Sequence, residues 1–233
     1  MFDAEIQKII TAKKNGIVGK QFTLPVYDES YNLIAELVCI DRFMVTKPEV
    51  VSKLSEWRLR YSDNFLTQFE ISDDRTKRWL TDIVIPSTDR ILFLIRLPAG
   101  ELVGNFGVCN LTNKDAELDN TIRGERLGPA KLMNYCEVAL LVWLFETFGC
   151  DRVYLHVFSN NITAQMLHKH MGFKLVKKIK LSKLEAGTTI QYVPAVELEH
   201  GKQYVDFDYL QLSISLSEFL TVSPWSKKLF REI

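Results

Sequence analysis

Cysteine is scarce and unpatterned in this chain. Cys39, Cys109, Cys136 and Cys150 are the four present in 233 residues, and no two form a C-x-x-C pair. Three of them fall inside apolar runs, which fits reduced, buried thiols and argues against a disulfide or metal framework. An excess of charge of either sign is missing too. The 29 Lys plus Arg balance the 29 Asp plus Glu, so no global field draws in nucleic acid or an anionic membrane. The longest apolar run, Val138 to Phe145, is far shorter than the roughly 20 residues of a membrane span. The start, Met1-Phe2-Asp3-Ala4-Glu5, lacks the basic head and apolar centre of a signal peptide. Repeats, low-complexity tracts and a Pro-rich linker are absent. A cytoplasmic protein is expected. Its hydrophobic fraction of 47% suffices for one sizeable core with an added flap or small subdomain.

The richest stretch runs from Asn160 to Phe173. It follows a strand-like segment, Arg152 to Phe158. Asn160 or Asn161 suits a helix N-cap, because an Asx side chain accepts a backbone N–H that the first turn leaves unpaired. Ala164, Leu167, His168 and Met171 then share one helical face. Gly172 stands where a left-handed residue ends a helix. One histidine therefore lies among the apolar positions of a short helix just past a strand end, where α/β ligand sites tend to gather.

A glycine-interrupted loop, Arg123 to Ala130, precedes a strongly apolar helix carrying Leu132, Cys136, Ala139, Leu140 and Trp143 at helical spacing. Gly124 and Gly128 let a backbone approach an anion closely, and Arg126 and Lys131 add charge. Pro129 suits a first helical position. Standing alone, such a loop is also an ordinary strand-to-helix turn.

Upstream, residues 2–13 read as an amphipathic helix, Leu33–Ile40 as a strand and 49–60 as a helix. Asp73 or Asp74 would cap a helix reaching Ile83. Strands are expected at 90–97, 101–111 and 113–122, then at 174–182 and 188–199.

The Asn160–Phe173 segment resembles the closing motif of the GCN5-related N-acetyltransferases, the GNAT superfamily. Asn161, Ala164, Leu167, Gly172 and Phe173 match it. His168 stands where the family usually has the Tyr that protonates the departing CoA thiolate. The loop matches the family's phosphate signature at Gly128 and Ala130. Glu125 departs from its first position, and Arg126 falls one residue late.

The resemblance covers about 33–199. It implies a GNAT fold of the α/β class: a central mixed, mostly antiparallel sheet flanked by helices. Residues 1–32 would form an N-terminal extension, and residues 200–233 a C-terminal one serving as a flap or a homodimer contact. It implies acyl-CoA as co-substrate, without a metal. The CoA would be held by Arg126, Leu127, Gly128, Ala130, Lys131 and Asn161, with its pantetheine arm along the strand edge at Thr121, Ile122 and Arg123.

His168 is then the candidate acid; its plainer reading is a hydrogen-bonded boundary histidine. His156 and Glu117 are candidate bases, with Asp119 on the same strand face, though each is also read as an ordinary polar residue. Trp57-Arg58 and the Asp119–Gly124 stretch look like the GNAT subgroup that acylates nucleotide-linked amino sugars, such as dTDP-amino-dideoxy sugars, for surface polysaccharides. Trp57, Arg58 and Asp119 would touch that acceptor, and the acyl group would be acetyl or 3-hydroxybutyryl. Two other readings stand beside this one. One is acetylation of another small-molecule or protein amine. The other is an acyl-CoA-binding module without turnover.

Overall fold

The computed structural model describes residues 2–15, 21–195 and 204–231. In chain order the elements are α1 (Phe2–Asn15), β1 (Thr23–Tyr27), β2 (Leu33–Cys39), α2 (Arg42–Val45), α3 (Pro48–Arg60), β3 (Thr67–Gln68) and α4 (Asp73–Trp79). After a π turn at Leu80–Val84 come β4 (Ile91–Arg96), β5 (Leu102–Cys109), β6 (Asp115–Arg123), α5 (Leu132–Thr147), β7 (Arg152–Phe158) and α6 (Ile162–His170). The chain continues through β8 (Lys174–Ala186), β9 (Thr189–Pro194), β10 (Tyr204–Ser215) and α7 (Leu216–Val222), and then a 3-10 segment, Pro224–Arg231.

The strands form one sheet in the order β1-β2-β4-β5-β6-β7-β10-β8-β9-β3. Every neighbouring pair is antiparallel except β6 and β7. The sheet is thus mixed and largely antiparallel with helices on both faces, the arrangement that the resemblance implies. β4 is buried at five successive positions, because a strand covered on both faces has no side for polar residues. On one face α1, α5, α6 and α7 cover a core with Phe93, Phe106, Leu140, Leu155 and Leu212. On the other, α2, α3 and the π turn cover a smaller core around Trp57, Leu80, Leu92 and Leu94. α5 is apolar nearly all round because it is buried nearly all round.

Ser72, rather than Asp73 or Asp74, caps α4, its hydroxyl accepting from the Arg75 amide. The helix gives way to the π turn before Ile83. The tail of the expected strand at 196–199 lies outside the described residues. The larger correction concerns the C-terminus. Residues 204–215 do not lie outside the sheet: β10 sits within it, between β7 and β8. Its Leu210, Leu212 and Ile214 pair with Val157, Leu155 and Val153. Alternation of apolar side chains marks such a strand, but nothing local tells it which edge to enter.

Candidate functional site

The parallel ladder between β6 and β7 runs from Asp115↔Arg152 to Leu118↔Leu155 and ends there. Beyond it the two strands separate. A bulge at Asn120, whose φ is +47°, helps turn β6 away. Past the bulge Ile122 and Arg123 pair with Asn105 and Gly104 of β5, and the other edge of Thr121, Ile122 and Arg123 has no strand partner among the described residues. A free strand edge suits an extended arm carrying amides.

The loop after β6 is held open from behind by Arg123. Its guanidinium donates to the carbonyls of Glu125 (3.3 Å), Leu127 (3.0 Å), Pro129 (3.3 Å) and Ala130 (3.1 Å). Drawing the carbonyls to one side leaves the amides of Arg126, Leu127, Gly128, Ala130 and Lys131 without an acceptor among the described residues. Those amides stand on exposed chain at the start of α5, a built anion cradle. Gly128 has φ +78°, a conformation that favours glycine. Gly124 serves differently. A Cβ there would come within 2.0 Å of the Trp57 ring.

Trp57 is therefore not an acceptor contact. It is fully buried, and its Nε1 donates to Glu125 Oε1 at 2.9 Å. This bond also explains the departure at Glu125, whose carboxylate faces inward to the indole. Lys131 pairs with Glu29 at 3.0 Å. Asn161 acts as the N-cap of α6, accepting from the Ala164 amide at 3.2 Å.

On the face away from α5, the even positions of β7 and the odd positions of β6 and β10 converge. His156 Nδ1 lies 2.7 Å from Glu117 Oε1. Glu117 Oε2 accepts from Asn110 Nδ2 at 2.7 Å. Tyr209 stacks on His156 with centroids 4.9 Å apart. Burial pushes the Tyr209 phenol well above its ordinary range, and Glu117, Asp119 and Cys109 push further. Asp119 pairs with Arg90 at 2.5 Å and accepts from the Asn120 amide at 2.7 Å. Burial works against the Arg90 charge, but adjacent Asp119 leaves it more basic than usual.

Arg58, at the end of α3, donates from Nη2 to the Thr67 carbonyl at 3.0 Å and lies over the Phe65 ring. Its remaining N–H donors have no acceptor among the described residues. Burial lowers it to about 10 despite the charge of Asp119.

His168 lies on the other side of the sheet. It is 4% exposed, and its Nδ1 lies 2.6 Å from Glu137 Oε1 on α5. So the structure unites Glu117 with His156 and places His168 apart from them, in the seam between α5 and α6. Glu137, Tyr209 and Arg90 escaped the sequence reading. Of these, Glu137 had a signal: it is the carboxylate in the middle of a helix otherwise apolar enough to be buried. Among the described residues no cluster of His, Cys, Asp and Glu is arranged for a metal ion. All four thiols are buried, and burial pushes those of Cys39, Cys109 and Cys150 up to about 12.

The model of the acetyltransferase (GNAT) domain family matches residues 40–174, more than half of the chain. This chain belongs to the GNAT family. As a GNAT protein it is an acyl-CoA-dependent N-acyltransferase, and the free strand edge, amide cradle and helix seam fit the CoA that such an enzyme uses. No curated protein sequence matches it. Solved GNAT structures share its fold at low identity.

The ribosomal L7/L12 α-N-protein acetyltransferase RimL, in complex with coenzyme A, aligns at a TM-score of 0.62 and 13% identity, over 84% of this chain and 99% of that one. Spermidine N-acetyltransferase from Vibrio cholerae, with CoA and spermine, aligns at 0.59 and 15%, over 80% and 98%. The N-acetyltransferase PseH of Campylobacter jejuni, with acetyl coenzyme A, aligns at 0.50 and 14%, over 78% and 99%. Among the described residues no helix is long and apolar enough to cross a membrane.

Proposed function

We propose that this GNAT enzyme moves an acetyl or 3-hydroxybutyryl group from CoA to the amine of a nucleotide-linked amino-dideoxy sugar, dTDP-linked, destined for surface polysaccharide. The observation that carries the reading is Arg58, whose guanidinium, bonded to the Thr67 carbonyl, keeps N–H donors to spare among the described residues and feels the charge of Asp119, on the face that also bears Glu117 and His156. A planar fork with donors to spare fits a diphosphate better than it fits an amine. Positive polyamines gain nothing from it.

CoA would lie with its pyrophosphate on the amides of 126–131 and its arm along Thr121–Arg123. His156 takes the proton from the acceptor ammonium, held at Nδ1 by Glu117 so that its Nε2 is the exchanging atom. Asp119 holds the sugar beside it.

The test is a panel of acceptors with acetyl-CoA and 3-hydroxybutyryl-CoA: dTDP-amino-dideoxyhexoses, spermidine, N-terminal peptides and aminoglycosides. The nucleotide sugars should lead in kcat/KM by about 100-fold or more, the discrimination a missing polar contact can impose. Free dTDP should inhibit competitively against the acceptor. Preference for spermidine or a peptide, with no inhibition by dTDP, overturns the sugar reading.

A further inference from the structure

β10 brings Tyr209 to the sheet face that carries His156. In the β10–β7 ladder Tyr209 lies opposite Phe158, and Gln211 lies opposite His156. Tyr209 is therefore the diagonal neighbour of His156, within reach of an aromatic side chain. Its ring lies flat on the imidazole, with centroids 4.9 Å apart and planes 17° from parallel. The ring contacts around this stack are different. Phe158 meets Tyr209 at 59° and Tyr192 at 80°, and Tyr154 meets His156 edge-on at 87°.

The imidazole is thus held three ways. Tyr209 covers one face, Tyr154 packs edge-on, and Glu117 Oε1 lies 2.7 Å from Nδ1. Nε2 is the ring nitrogen left without a partner among the described residues. Register sets the place. The parallel β6–β7 ladder ends at Leu118↔Leu155, so His156 is the first β7 residue beyond it, where the strands begin to part. The site is not sealed: the side chains of His156 and Glu117 keep 17% and 15% of their exposure.

The chemistry of the stack fits a ring that gains charge. The face of a neutral aromatic carries negative potential and attracts a cation lying over it. Burial keeps the Tyr209 phenol protonated, so His156 lies against a neutral ring and not a phenolate. The hydroxyl has no hydrogen-bond partner among the described residues. The ring face, and not the hydroxyl, is then the working part.

We propose that Tyr209 is a positioning residue for acyl transfer, holding the His156 imidazole in plane and steadying the imidazolium as it forms. The proposal rests on the reading of His156 as the base, not on the identity of the acceptor. In that step one N–H bond of the acceptor ammonium breaks. The electron pair stays on nitrogen as the nucleophile, and the proton passes to Nε2 and later to solvent. Glu117 supplies the counter-charge at Nδ1. The stack is stronger when the imidazole is charged, so it favours the reacting state over the bound substrates.

The experiment compares steady-state kinetics of single and double variants, using acetyl-CoA and whichever amine leads the acceptor panel. Tyr209→Leu, or Tyr209→Met if the former does not fold, should lower kcat by about 3–30-fold, the rate equivalent of a cation–π contact. Both KM values should stay within about twofold, because the loss falls on the chemical step. Tyr209→Phe keeps the face and should recover most of that loss. His156→Gln should lower kcat by about 100-fold or more, the share of a positioned base. Adding Tyr209→Leu to His156→Gln should cost nothing further, since Tyr209 acts through the imidazole.

A Tyr209→Leu loss of equal size with and without His156 marks plain packing and overturns the proposal, while leaving His156 as the base. Tyr209→Phe as slow as Tyr209→Leu puts the work on the hydroxyl and overturns it as well. A His156→Gln enzyme with wild-type kcat overturns the base reading, and this proposal falls with it.

Discussion

Arg123 illustrates how one side chain shapes a binding loop without touching the ligand. By gathering four carbonyls it turns the opposing amides outward. Arg123→Met keeps the aliphatic stem and removes every one of those bonds. CoA affinity should fall by about 1 kcal/mol or more, the order of a hydrogen bond lost, because the exposed carbonyls turn to water and no longer hold the cradle in shape. Calorimetry with CoA decides this, and an unchanged Kd in a folded variant removes Arg123 from the loop's design. Arg58 makes a contrasting case. Its one acceptor among the described residues is the Thr67 carbonyl, so Arg58→Ala should raise the acceptor KM while leaving the acetyl-CoA KM within about twofold, the signature of lost binding at one substrate alone. An equal rise in both would make it a prop for the β3 segment.

At the scale of elements, α1 is secured by a buried ammonium that carbonyls hold, with no ion pair among the described residues. Lys13 is 1% exposed, and its ammonium donates to the carbonyls of Val84 (3.0 Å), Ser87 (2.6 Å) and Arg90 (2.7 Å). Burial nonetheless lowers it to about 8 from an ordinary 10.5, against the opposing pull of Cys39 and Asp89. Between those two values the native state binds fewer protons than the unfolded chain. This group's contribution to stability therefore rises with pH across that window. Urea melts from pH 7 to 10 of the protein and of Lys13→Met should diverge as pH rises, the wild type gaining relative to the variant. Parallel curves would mean that Lys13 keeps its proton throughout.

Glu218, in the capping box of α7, has the usual carboxylate sign. The Lys174 ammonium, with the Ser215 amide and hydroxyl, lowers it to about 2 from 4.5. Its contribution is present above pH 4.5 and is lost as pH falls toward 2, which Glu218→Gln should flatten.

These element-scale facts also mark what was legible in sequence. The Asn161 cap of α6 and the apolar α5 rest on residues within a few turns of each other, so spacing alone reveals them, whereas the cap of α4 fell on Ser72 rather than on the Asp73 or Asp74 expected. The Glu137–His168 pair spans 31 positions, and Trp57–Glu125 spans 68. Their partners are chosen by how helices pack on the sheet, which no local pattern records. Trp57 thus looked like an acceptor contact while serving as the wall behind the loop.

For the whole molecule, the decisive feature is the late strand in the middle of the sheet. Without β10, both β7 and β8 would present bare edges, and the core would lose Leu210, Leu212 and Ile214. Burying three aliphatic side chains is worth about 5–9 kcal/mol at 1.5–3 each, on the scale of a domain's entire net stability of about 5–15 kcal/mol. The C-terminal segment also reaches the far edge. The Tyr31 hydroxyl donates to the Trp225 carbonyl at 2.8 Å, and Trp225 packs edge-on to Tyr135 of α5.

The sheet therefore closes only after most of the chain exists, and β10 must enter between strands laid down earlier. A chain ending at residue 203 should show no cooperative urea transition and should bind an exposed-surface dye in the absence of denaturant. Supplying residues 204–231 as a separate peptide should restore both the transition and CoA binding, because an inserted strand contributes its own hydrogen bonds and apolar face. A truncated chain that melts cooperatively, with a slope like that of the full protein, would show that the fold is already complete without β10.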